Sequence, residues 1–253
     1  MKKFAFIMIL LSFFISGCAI FVVEEDTEEY IALSNQYDNY ILSDISQLKN
    51  FQAFINSVTL NSSLASVMIE VKVYSQLGLL LETRYGSGVI FHEDSANYHI
   101  MTTYDLTSTQ SRQTISIEVS DYLGRTYRAF VRREYSELGL TGIRFAKNSQ
   151  RVLGVLSIAE HPPFVGQPVM LIGYQRRIIN ALTMGMVYET IFDEDDKLII
   201  MKTNVLSDNF GNGGVMIDMN HKIIGIQYQV TNGFTYAYGL DTIKEFYSMY
   251  FTT

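Results

Sequence analysis

The chain of 253 residues has a single cysteine, Cys18, so it can form no internal disulfide and any folded region must be held by its apolar core. It has no Trp; 17 Tyr and 16 Phe supply the aromatic bulk. Positive charge is scarce: 19 Lys and Arg face 26 Asp and Glu, a formal −7. Such a balance argues against nucleic acid and against tight electrostatic contact with anionic lipid, since both attract basic surfaces. Histidine, the side chain suited to proton transfer near neutral pH, occurs only as His92, His99, His161 and His221. The apolar run near the N-terminus, residues 4–15, is shorter than the ~20 residues a spanning helix needs.

That run is nevertheless informative. Lys2 and Lys3 precede it, and Ser16, Gly17 and Cys18 follow. A charged start, a short apolar stretch and a small-residue site make a signal peptide. The Ile-Ser-Gly-Cys ending resembles a bacterial lipobox, which implies removal of residues 1–17 and acylation of Cys18. The expected location is then the bacterial cell membrane, lipid-anchored on its extracytoplasmic side. An ordinary cleaved signal or a short anchor helix is the other reading. Without Lys2 and Lys3 the balance is 17 basic to 26 acidic residues, or −9. Roughly 235 residues remain, enough for one double-barrel domain or two small ones. With 48% hydrophobic and 18% charged residues, the chain is expected to be globular.

Residues 18–62 form a second segment. Glu24, Glu25, Asp26, Glu28 and Glu29 make an acidic spacer, and Asp26 with Glu29 has capping-box spacing. Apolar residues then recur at Tyr30, Leu33, Tyr37, Ile41, Ile45, Leu48, Phe51, Ile55 and Val58, the face of an amphipathic helix. The stripe is broad and aromatic, which favours packing on a domain over a coiled-coil seam or stalk.

From residue 63 the period changes to two. Val67, Ile69, Val71 and Val73 alternate with polar partners, as in a half-buried strand. Further strand-like runs are 89–91, 114–119, 126–131, 168–172, 184–190, 197–203, 215–217, 223–228 and 236–238. Many short strands without alternating helices indicate an all-β barrel or sandwich over 63–253. A closing helix is expected, capped by Asp241, with Ile243, Phe246, Tyr247 and Tyr250 on one face.

Several segments carry a family resemblance. Gly86-Ser-Gly-Val-Ile90 resembles the GSG strand that opens the barrel of Deg (HtrA)-type, trypsin-like serine proteases. The segment 100–106, IMTTYDL, resembles the strand end that presents the catalytic His. The segment 136–140, SELGL, resembles the one that presents the catalytic Asp. Residues 166–174, GQPVMLIGY, and 183–187, TMGMV, resemble two later strands. Residues 203–214, ending FGNGG, resemble the nucleophile loop, and 223–226, IIGI, the strand after it. The matches keep the family's order and similar spacing over 64–250. The resemblance implies two Greek-key β-barrels of the chymotrypsin type.

It also implies lost chemistry. The His position falls on Asp105, the Asp position on Glu137, and the Ser position on Asn212 or on a one-residue gap. Acyl transfer by this mechanism needs a hydroxyl, a base titrating near neutrality and a carboxylate to orient it. An Asn amide is a poor nucleophile, and a carboxylate titrating near ~4 cannot shuttle the proton at neutral pH. Phe210 stands where the family has a Gly, so the loop that aims the oxyanion-binding amides is disturbed. The four histidines read as surface or turn residues and Ser207 as a turn residue. Asp193, Glu194, Asp195 and Asp196 read as a solvated hairpin tip, lacking EF-hand spacing. No metal and no cofactor is implied, and the Asp105–Glu137 pair alone is a poor cation site.

The reading is a membrane-anchored pseudoprotease that binds an extended peptide or protein ligand without nucleic-acid contact. The alternative is an active serine-type endopeptidase with unrecognised catalytic residues. The expected binding edge follows Gly213 and Gly214 along residues 224–229, with Tyr228, Phe234 and Tyr236 as pocket walls.

Overall fold

In a computed structural model of the protein, the described residues are Ala53, Asn56, Ser57, 61–149, 151–175 and 178–252. The chain divides into two compact units, Met1–Ala53 and Phe54–Thr253, and the elements below belong to the second. The expected signal peptide, Cys18, the acidic spacer and every residue of the expected amphipathic stripe lie outside the described residues.

Two closed six-stranded antiparallel barrels make up the unit. The first is built from β1 (Ser66–Ser75), β2 (Leu80–Glu93), β3 (Asn97–Thr103), β4 (Gln113–Ser120), β5 (Thr126–Tyr135) and β6 (Leu140–Ala146), in the order β1-β2-β3-β6-β5-β4. The second uses β7 (Pro168–Gln175), β8 (Ile178–Phe192), β9 (Leu198–Thr203), β10 (Val215–Ile217), β11 (Ile223–Thr231) and β12 (Phe234–Tyr238), in the order β10-β11-β12-β9-β8-β7. One helical turn, α1 (Tyr104–Thr107), follows β3, and a longer helix, α2 (Leu240–Phe251), closes the described chain. Among the described residues no helix is long and apolar enough to cross a membrane.

The alternation of β1 works as its sequence requires. Val67, Ile69, Val71 and Val73 face the first core and are all but fully buried. β2 changes character along its length. Its first residues are exposed, whereas Gly86 to Phe91 are buried on both faces. Small residues are needed there because the second barrel approaches. A β-carbon on Gly86 would lie 2.8 Å from the Asn212 carbonyl oxygen, and Tyr174 donates its N–H to Ser87 Oγ at 2.7 Å.

Helix α2 agrees with the expected closing helix, but its cap differs. Gly239 occupies the N-cap, and the Asp241 carboxylate accepts the N–H of Leu198, pinning the helix start to β9. Ile243, Phe246 and Tyr250 are fully buried, each stabilising the fold by about 1.5–3 kcal/mol. Tyr247 stays partly exposed. α2 touches β9 and β11 of the second barrel, but its aromatic side chains pack on the first. Phe91 meets Phe246 at 5.8 Å and Tyr250 at 5.2 Å, and Tyr135 meets Phe246 at 5.6 Å. The hairpin tip at residues 193–196 joins β8 to β9, with Asp193 Oδ1 accepting the N–H groups of Asp195 and Lys197.

Candidate functional site

The three positions singled out by the family resemblance sit on three segments that border one junction between the barrels. β3 ends at Thr103, and Asp105 is the second residue of α1, exposed to solvent. Its neighbour Leu106 turns inward against Gly86. Tyr104 donates its N–H to the carbonyl of Gly139 at 2.8 Å, which ties α1 to the β5–β6 turn. Glu137 lies in that turn, exposed, its carboxylate accepting from Ser136 Oγ at 3.2 Å. Asn212 is opposite: its carbonyl accepts the Ser87 N–H at 2.8 Å and also faces Gly86. Gly139, at φ +66, packs directly on the Tyr238 hydroxyl. Burial, and secondarily the Asp105 charge, push the Tyr238 hydroxyl up to about 12. Among the described residues no hydrogen bond or ion pair joins the side chains of Asp105, Glu137 and Asn212.

The loop before β10 is folded on itself. Asp208 caps a 3-10 turn, Asn209–Gly211, its Oδ1 accepting the Gly211 N–H at 3.1 Å. The Asn212 N–H donates back to the Asn209 carbonyl at 3.4 Å, and Gly214 N–H to the Gly211 carbonyl at 2.7 Å. Oxyanion stabilisation requires amide hydrogens aimed outward at the developing charge. At Gly211 and Asn212 they are spent inside the turn. Gly213 has φ +86, and a side chain there would strike the Ser87 carbonyl and Thr102 Oγ1, so only glycine fits. The loop is supported from below by Gln227, a role that no local sequence pattern marks. Its side chain is fully buried, accepts from Ser207 Oγ at 2.8 Å and donates to the Asp208 carbonyl at 2.7 Å. Ser207 thus serves the loop. Phe210 projects from it, half exposed.

The histidines divide. His161 is exposed in a loop, and His221 lies in the turn between β10 and β11 at φ +61, bonded to Ser57 and Ser62. His99 overturns the surface reading, being fully buried under α2. Its Nε2 lies 2.8 Å from the Asp94 carboxylate and its Nδ1 2.8 Å from the Tyr250 hydroxyl. A carboxylate only accepts, so Nε2 carries the proton and Nδ1 accepts from Tyr250, with Arg132 Nη1 3.3 Å from the same nitrogen. Burial holds the imidazole below its ordinary range, against the opposing pull of Asp94. Asp94 is held far below the usual carboxylate range by the Ala96 N–H and by His99. This network joins the start of β3 to α2, whereas Asp105 follows the end of that strand.

The expected peptide edge is shorter than its sequence suggested. β10 already pairs with β11 at Ile223, Gly225 and Ile226. Gly213 and Gly214 are buried and exchange hydrogen bonds with Gln227, at 2.7 and 2.8 Å. Val230 donates its N–H to Asn209 Oδ1 at 3.0 Å. The stretch of β11 not laddered to β10 therefore starts at Tyr228, the bulged residue between Gln227 and Gln229. Tyr228 is half-buried, stacked on Tyr238 at 4.5 Å and 6.4 Å from Tyr236. Phe234 does not join these two rings. It packs on Tyr188 at 4.7 Å, with Lys202 Nζ 4.5 Å from its ring. A cavity of about 520 Å³ lies elsewhere, between residues 155–160 and α2. Among the described residues no group of three or more His, Cys, Asp or Glu is arranged to hold a metal ion.

No curated protein matches the sequence. The family model of the trypsin-like peptidase domain matches residues 86–226, from the glycines of β2 through the folded loop to β11. That stretch is more than half of the chain, and it agrees with the two closed barrels and the junction between them: the chain belongs to the trypsin-like peptidase domain family.

Proposed function

We propose that this protein is a lipid-anchored, extracytoplasmic pseudoprotease, whose trypsin-like domain binds an extended peptide or protein segment and does not cut it. One observation carries the reading: the Asn212 segment, where the nucleophile would stand, has no hydroxyl and folds its amides into its own 3-10 turn. Asp105 and Glu137 offer two carboxylates where the mechanism needs a base and its orienting partner. The binding edge is Tyr228 and the residues after it, where β11 leaves the β10 ladder. Recognition there runs through main-chain hydrogen bonds and needs no nucleophile. Acylation of Cys18 places the domain at the outer surface of the bacterial cell membrane.

The test is chemical. The purified protein is treated with a serine-directed fluorophosphonate and with unfolded casein, and then passed over immobilised extended peptides. The expected result is no labelling, no cleavage, and peptide retention that Tyr228→Pro weakens by removing a backbone donor. Labelling of any serine that disappears when that serine is replaced overturns the proposal.

A further inference from the structure

The hairpin that joins β1 to β2 ends in a cluster of bare leucines. Leu77, Leu79, Leu80 and Leu81 are 87%, 64%, 55% and 54% exposed. From Tyr74 to Leu81 there is no charged side chain. The tip stands at the end of a three-stranded base, β2-β1-β4, where Ser75 pairs with Gln113, and nothing lies within 4 Å of a β-carbon built on Gly78.

The backbone of the tip is suited to an apolar medium. Ser75 N–H donates to the Leu79 carbonyl at 2.8 Å, and Gly78 N–H to the Ser75 carbonyl at 2.9 Å. Leu79 N–H donates to Ser75 Oγ at 3.2 Å. Gly78 makes the turn at φ +80 with open space around it. Three tip N–H groups, those of Ser75, Gly78 and Leu79, are thus satisfied within the segment, which lowers the cost of bringing the tip into an apolar medium. Gln76 is the one exposed polar side chain among the tip residues 76–81; charged groups begin one level back, with Lys72, Glu82, Arg84 and Arg112, as suits a boundary with lipid headgroups.

We propose that residues 77–81 form a wedge that inserts into the outer leaflet of a lipid bilayer. Half of a hairpin this short reaches ~8–10 Å at ~3.3 Å per residue, so the wedge stops at the headgroup–acyl boundary. The driving term is apolar burial: the acidic chain, at a formal −7, gains nothing from anionic headgroups, so zwitterionic lipid suffices. Together with the N-terminal anchor, the wedge would fix which way the domain faces. The proposal rests on the anchored reading only for the bilayer being close by.

The test exploits the absence of Trp. In the Cys18→Ala chain, Leu79→Trp places one reporter at the tip, and Tyr188→Trp places one on the second barrel as a control. With phosphatidylcholine vesicles, the tip emission is expected to shift to the blue and to be quenched by brominated acyl chains, while the control does not change. Replacing Leu77 and Leu80 with Ser should lower the vesicle-bound fraction at least ~tenfold. An unshifted tip Trp overturns the proposal, whether or not the protein co-sediments through its N-terminus. Emission already blue without vesicles, and rising with protein concentration, overturns it in favour of contact between copies. Failure of the anchor is read separately, from the detergent partition of the chain with and without Cys18.

Discussion

Gly142 is the point at which α2 leaves least room on the first barrel. It lies mid-strand in β6, paired to Met101 and Arg133, and the Tyr250 ring covers it. A methyl in Gly142→Ala would overlap that ring directly, with Cδ2 only 2.8 Å away. The ring has no free direction. Phe91 stands edge-on at 5.2 Å, Phe246 is stacked at 5.5 Å, and the hydroxyl is held 2.8 Å from His99. Overpacking of this kind costs about 1–3 kcal/mol. Loss of the buried Tyr250–His99 hydrogen bond adds ~1 kcal/mol. The expected total is about 2–4 kcal/mol, or ~4–16 °C in Tm for a domain of this size. Urea and thermal unfolding of the wild-type and Gly142→Ala proteins measure it. A second pair in a Tyr250→Leu background isolates the clash, because a leucine leaves space for the methyl, and the alanine should then cost little. A cost below ~0.5 kcal/mol, or an equal cost in both backgrounds, would refute the packing described here.

Three further outcomes are expected. Stability should fall with acid in a window set by His99: its native form titrates below 6.5, so the unfolded chain binds the extra proton, and the contribution is whole above 6.5 and lost as pH drops through the native value. The unfolding midpoint of His99→Leu should lack that step, while the Asp94 contribution, from a carboxyl also lowered, goes only below 3.8. Gln227→Leu strips Ser207 Oγ and the Asp208 carbonyl of a buried partner, which should cost about 1–3 kcal/mol and speed hydrogen exchange at the Gly211 and Asn212 amides. Cys18→Ala should move the protein from the detergent phase to the aqueous phase, since only the thiol can be acylated; unchanged partition would contradict the anchor.

The strands are legible from two signals: β1 alternates with period two, whereas β7 and β10 are short apolar runs buried along most or all of their length. The expected bounds match β10, while β5, β7, β8 and β11 run on past theirs. β6 carries no such signal. Thr141, Gly142 and Ile143 are all buried, since the core lies on one face and α2 on the other, so no alternation survives. The same cause hid His99. Period two assigns it a face, but the partner that covers that face, Tyr250, is 151 residues away. At the junction, the identities of Asp105, Glu137 and Asn212 were plain. The inward turn of the loop was not, because it depends on Asp208 as a cap and on Gln227 from the next strand.

The clasp made by α2 also sets an order of events during synthesis. The strands of the first barrel are complete at Ala146, yet Phe91, Tyr135 and His99 have no cover until Phe246 and Tyr250 arrive. At ~5–20 residues per second, the intervening ~100 residues take about 5–20 s. Over that interval the barrel carries an open apolar face with a buried-type histidine exposed to water. Under the export proposed above, such a delay would keep the chain threadable until its second half has been made.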